Sequence, residues 1–300
     1  MREPRCSGVL CAALLSFSIG LELIPPRAHA GDGEIEIVRG TEVEKRSVGG
    51  GSVGGRGPSV DLETRSYSMT PGDRQRIRSS VDQVIRIYRD VLGVKVPYDF
   101  DIDLIVQGDA RKYRRATRNR PILGYYRHDE REAVVSGKSG RSQVRTTAVH
   151  ESSHAILMDQ APNVPNWLNE GLAEYFNLIE PENGGARIPA QYDRTEALEA
   201  IKRGGGWSLE RLFGMSAAEW SGLDFERTQL AYAQGWSLVY FFMNSDSGRH
   251  ELRQLIGEFR RSGTELQSAK FVERIHSGGV KALEKEWRSW LQRSRNAHRY

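Results

Sequence analysis

The chain has 300 residues, 38% hydrophobic and 27% charged, and its 43 basic against 39 acidic residues leave a formal net charge of +4. That apolar content excludes a collagen-like or wholly disordered chain, and so small an imbalance, with no recognition module beside it, gives no basis for nucleic-acid binding. The two cysteines, Cys6 and Cys11, fall in a stretch with the marks of a signal peptide, so any metal in the mature chain must be held by nitrogen and oxygen.

Arg2 and Arg5 precede a largely apolar run over residues 9–21, and Ala28-His29-Ala30 places small residues where a signal peptidase inspects the chain. Residues 1–30 are therefore expected to be a signal peptide, and the mature chain to be secreted or periplasmic. No later run reaches the length of a membrane span. Residues 31–59 turn to glycine, serine and charge, with Gly49, Gly50, Gly51, Gly54, Gly55 and Gly57 close together. Such a segment buries too little side chain to offset its ordering entropy and reads as a flexible tether. The folded unit is expected over residues 60–300, with a helical lobe from about residue 189.

Thr70-Pro71 predicts a helix start, threonine as cap and proline in the first turn. Ile77, Val81, Val84, Ile85, Ile87, Tyr88 and Leu92 carry its apolar face up to Gly93. The period then changes: Phe100, Ile102, Leu104 and Val106 alternate as a strand, and residues 122–127 and 132–135 read as two more around a charged turn. Arg111, Lys112, Arg114, Arg115, Arg118 and Arg120 form the one dense basic cluster, read as a solvated helix or loop. Helical spacing follows over residues 144–157, 167–178, 195–201, 230–243, 252–259, 268–275 and 280–291. The fold class expected is α+β: a small mixed sheet packed on one central helix, followed by a mainly helical part.

That central helix carries His150-Glu151-Ser152-Ser153-His154. Residues four apart stack on one helix face, so both imidazoles can reach one ion. Glu151 projects about 100° around from His150, beside the ion rather than onto it, where a carboxylate can take a proton from water without occupying a coordination position. Pro162 and Pro165 end this helix, and Trp167-Leu168-Asn169-Glu170-Gly171-Leu172-Ala173-Glu174-Tyr175-Phe176 begins another. A buried carboxylate is costly unless paired or bound to a cation, so Glu170 is assigned as third ligand and Glu174 as acceptor for a ligand imidazole proton. Two nitrogens and one oxygen with a position left over make the minimal kit of a zinc hydrolase, with one catalytic Zn2+.

These two segments resemble the gluzincin clan of metallopeptidases, in particular the bacterial peptidase MA-like families related to the aminopeptidase N group. The specific likeness covers residues 146–176. In that clan the glutamate of the Asn-Glu-Gly element is the third zinc ligand, which implies Glu170. The intervening segment is shorter here than in the aminopeptidases, and no Gly-Ala-Met-Glu-Asn element precedes the histidines, where this chain reads Glu132-Ala133-Val134-Val135-Ser136-Gly137. The resemblance implies a zincin-like fold and zinc-dependent hydrolysis of a peptide or protein substrate, with Glu151 as general base, and the missing Gly-Ala-Met-Glu-Asn exopeptidase element points to an endopeptidase. It also implies an oxyanion donor from a later helix, for which Tyr232 is the first candidate, with Tyr240 and His250 behind it. The strand around Val134 is expected to border the cleft, where an extended peptide could add as a further strand. The competing expectation is a non-catalytic secreted binding or scaffolding protein that keeps a structural zinc, a site that needs the histidines but not Glu151.

Overall fold

A computed structural model describes residues 58–118, 120–190, 195–262, 267–293 and 297–300. The expected signal peptide, both cysteines and all of the expected tether except Pro58 and Ser59 lie outside these residues. The first half of the described chain runs β1 (Ser59–Arg65), α1 (Pro71–Asp90), β2 (Asp101–Gln107), α2 (Ala110–Ala116), β3 (Gly124–Arg127), β4 (Glu132–Ser136), α3 (Arg141–Gln160) and α4 (Asn166–Phe176). After these come β5 (Glu180–Glu182), β6 (Gly185–Ile188), α5 (Thr195–Lys202), α6 (Leu209–Phe213), α7 (Ala217–Ser221), α8 (Phe225–Met243), α9 (Asp246–Arg261), α10 (Ser268–Ile275), α11 (Gly279–Leu291) and β7 (His298–Arg299). The architecture is α+β, a small mixed sheet followed by a largely helical region.

Local chemistry accounts for the element starts. Thr70 caps α1 by accepting the amide proton of Asp73 at 3.1 Å, with Pro71 in the first turn, where a missing donor costs least. Asp109 caps α2 by accepting from Arg111 and Lys112. The buried positions of α1 are Ile77, Ser80, Val81, Val84, Ile85, Ile87 and Tyr88, the stripe its apolar spacing predicts.

The four-stranded sheet has the order β1-β2-β4-β3, parallel except for β3, which runs antiparallel to β4. Alternation along β2 sends Ile102, Leu104 and Val106 into the main core, and Ile105 to the other face with Val134 and Tyr113 of α2. The strand holding Val134 is thus interior to the sheet, a correction to the expected edge. An interior position requires pairing on both sides, and β4 has β2 and β3 as neighbours, which leaves β3 at the margin among the described residues. The helix α3 packs against α1 and against β2, β3 and β4. One apolar core runs from Val60 in β1 to Leu291 in α11. A second, three-stranded sheet, β5-β6-β7, joins the final residues to the middle of the chain, with Tyr300 and Ala186 exchanging backbone hydrogen bonds. No helix among the described residues is long and apolar enough to cross a membrane.

Candidate metal centre

Every residue of α3 from Thr146 to Met158 is buried, so this helix is covered on all sides and each polar side chain on it must find a partner within the protein. Ser152 donates to the carbonyl of Ala148 at 2.8 Å, and Ser153 pairs with the Tyr88 hydroxyl of α1 at 2.8 Å. The helix ends at Gln160. Val164 then closes a turn onto the carbonyl of Ala161, and Pro165 enters α4 with extended backbone, φ −68° and ψ 153°. All residues from Trp167 to Phe176 are buried as well. On its far side α4 meets α8 through two glycines: a β-carbon added to Gly171 would lie 2.6 Å from the carbonyl oxygen of Gly235, and one added to Gly235 would lie 2.5 Å from that of Trp167.

Two consecutive helices thereby converge on one point. The Nε2 atoms of His150 and His154 are 3.1 Å apart, and Oε2 of Glu170 lies 3.4 Å from the first and 3.6 Å from the second. One donor atom from each of these three buried residues falls within 4.8 Å of the others, so the cluster can chelate a metal ion. Nδ1 of His154 sits 3.0 Å from the side-chain oxygen of Asn169, a contact that fixes the tautomer by holding the ring proton on Nδ1 and leaves Nε2 with its lone pair toward the cluster. Nδ1 of His150 lies 3.5 Å from Oε1 of Glu174, whose other oxygen accepts from Asn177 at 3.0 Å.

The electrostatics follow from burying three carboxylates around two imidazoles. Burial alone would push the proton affinity of His150 down; the hydrogen bond it donates to Glu170 and the charges of Glu174 and Glu151 outweigh it and raise its pKa to about 9. His154 goes the other way, lowered to about 4 by burial and further by His150, with Glu170 opposing. The Glu151 carboxyl is pushed up to about 8, first by burial and then by Glu170 and Glu174, against the pull of His150. Such a set calls for positive charge at its centre, and its two imidazoles and one carboxylate could coordinate a divalent metal ion.

Glu151 is 3% exposed, and its Oε2 has no hydrogen-bond partner among the described residues. It points toward the start of β3, where a β-carbon on Gly124 would lie 2.4 Å from Oε1, so only glycine leaves the carboxylate its place. Beyond that glycine, Tyr113 of α2 feels the charge of Glu151: burial, then this carboxylate, then Tyr125 raise its phenol well above the ordinary value.

Tyr232 is fully buried on α8, its ring 6.0 Å from that of Trp220, and three residues before the Gly235 crossing with α4. Tyr240 belongs instead to an aromatic group with His298 at 4.2 Å and Trp236 at 5.4 Å, and His250 is exposed on α9. Three residues at the centre escape sequence reasoning. Asn169 was legible only as part of a motif, while Gly124 and Tyr113 carry no local signal and reach Glu151 through tertiary packing. Replacing Asn169 with alanine is expected to weaken metal binding by about 10- to 100-fold, measured by competition with a chelator, because the His154 ring loses the group that orients it. Unchanged affinity would show that the ring is held by packing alone. No protein-family model matches this chain, and no curated protein matches it.

Proposed function

We propose that the chain is a zinc-dependent peptide hydrolase of the gluzincin, peptidase MA-like type with a zincin-like fold. In this reading it is an endopeptidase acting outside the cytoplasm once residues 1–30 are removed, with residues 31–59 as tether and 60–300 as catalytic unit. The supporting observation is that His150, His154 and Glu170 bring donor atoms within 4.8 Å of one another while Glu151, equally buried, stands beside them.

His150, His154 and Glu170 would hold the ion. When bound there, Zn2+ would supply Lewis acidity for activating water. Glu151 takes a proton from the attacking water on Oε2 and passes it to the leaving amine nitrogen. In the metal-free protein burial raises the proton affinity of this carboxyl, which strengthens it as an acceptor. Asn169 and Glu174 orient the two imidazoles through their Nδ1 atoms. The Tyr232 hydroxyl is assigned as donor to the carbonyl oxygen as it gains charge.

The test is a peptide library incubated with the purified protein and read by mass spectrometry. Cleavage is expected to stop on chelation and return with added Zn2+. Chelation should also lower thermal stability, since a ligand present at a thousandfold its Kd contributes about 4 kcal/mol. A protein that binds zinc and is stabilised by it, yet cleaves nothing in a diverse library, would be a binding protein with a structural zinc.

A further inference from the structure

A groove of about 470 Å³ opens between α2, residues 120–123 and the turn after β4. It adjoins the proposed general base at two points. Leu123 in its wall immediately precedes Gly124, which abuts Glu151, and Tyr113 in its wall is close enough to Glu151 to feel its charge. The floor is apolar, made by Tyr113, Pro121, Ile122 and Leu123. Arg114, Arg120 and Lys138 stand around it, and no acidic residue lines it.

Two features point to the ligand. Arg114 and Lys138 are exposed with no ion pair among the described residues, as are Arg111, Lys112, Arg115 and Arg118 around them, so the groove mouth carries uncompensated positive charge. Tyr113 is only 5% exposed, and its hydroxyl has no hydrogen-bond partner among the described residues. A buried phenol that stays protonated is a donor in want of an acceptor. Carboxylate oxygens accept from both a phenol and a guanidinium, and the apolar walls suit a methylene stem.

Resting on the hydrolase reading, we infer that this groove is a substrate subsite for a carboxylate beside the scissile bond, with Arg114, Lys138 and Tyr113 as its recognition groups. The carboxylate comes from a glutamate side chain or from the substrate's C-terminal group.

The experiment uses fluorescent peptides in matched sets. One has glutamate flanking the cleavage position and an amidated C-terminus, a second has glutamine there, and a third has glutamine with a free C-terminal carboxylate. Binding is measured on zinc-loaded Glu151→Gln protein, which needs no turnover, and kcat/KM on the wild type. A carboxylate peptide is expected to bind about tenfold tighter than the neutral one, the range of a charge-assisted hydrogen bond. The preference should shrink at high salt. Adding Arg114→Ala with Lys138→Ala, or Tyr113→Phe alone, should bring the ratio toward one with unchanged metal content. Preference for the second peptide's glutamate counterpart identifies a side-chain subsite, and preference for the third identifies a chain-terminal one. Equal binding of all three, or a preference that survives both sets of substitutions, overturns the inference. A preference in binding without any cleavage would sustain the subsite and remove the hydrolase reading instead.

Discussion

Glu151→Gln is expected to lower peptide hydrolysis by between about 10²- and 10⁴-fold while the protein keeps its zinc. The amide has the shape of the carboxylate, and Glu151 is not among the three residues whose donor atoms converge, so neither packing nor metal content has reason to change. What disappears is the proton acceptor on Oε2. The change also tests the burial argument. A carboxyl raised from 4.5 to about 8 contributes stability below pH 4.5 that is lost as pH rises toward 8, because the folded state must then bury a charge. The metal-free glutamine variant lacks that loss, so its thermal midpoint should hold up better than that of the metal-free wild type between those values. Measured kcat/KM, metal content and melting curves together decide the matter. Activity near that of the wild type would remove Glu151 from the chemistry.

Gly171→Ala is expected to cost about 3 kcal/mol of stability and to weaken metal binding with it. The added carbon would meet the carbonyl oxygen and carbon of Gly235 at 2.6 and 2.7 Å and a methyl of Val239 at 2.9 Å. Two of those three atoms are backbone and cannot swing aside, so α4 and α8 must separate. Glu170 is the preceding residue, and a shift of α4 moves its carboxylate relative to the imidazoles on α3. Gly257→Ala on α9 serves as control: its added carbon meets only the far end of the Arg261 side chain at 3.5 Å. That substitution should be neutral or stabilising by up to about 1 kcal/mol, from helix propensity alone. A Gly171 variant with wild-type melting and metal affinity would mean that the crossing is looser than its geometry indicates.

Legibility in the sequence tracked how local each cause is. The start of α1 was readable because Thr70 and Pro71 act within one turn, and α3 and α4 because proline and apolar spacing bound them. The His150, His154 and Glu170 cluster was readable because its members sit at intervals that two helices and one short turn can close. Strand β1 went unread: Val60 and Leu62 are its only buried positions, too few to set a period. The sheet β5-β6-β7 has strands of 3, 4 and 2 residues, and its last pairing joins Ile188 to His298, which no window of sequence connects. Sheet order was hidden for the same reason. Which of β3 and β4 stands at the margin depends on β2 arriving from earlier in the chain. Tyr113 and Gly124 belong to this class, since their relation to Glu151 exists only after the sheet has formed.

The donors that converge at the centre all come from residues 150–170, whereas the elements packed against their two helices include α1, β3 and α8. An excised hairpin of α3 and α4 would therefore carry every ligand and none of the dryness. In water its imidazoles and carboxylates would return to ordinary proton affinities, so the peptide could capture an ion yet lack a base poised near neutrality. Metal capture is in this sense a property of a short stretch of chain, and reactivity a property of the whole molecule.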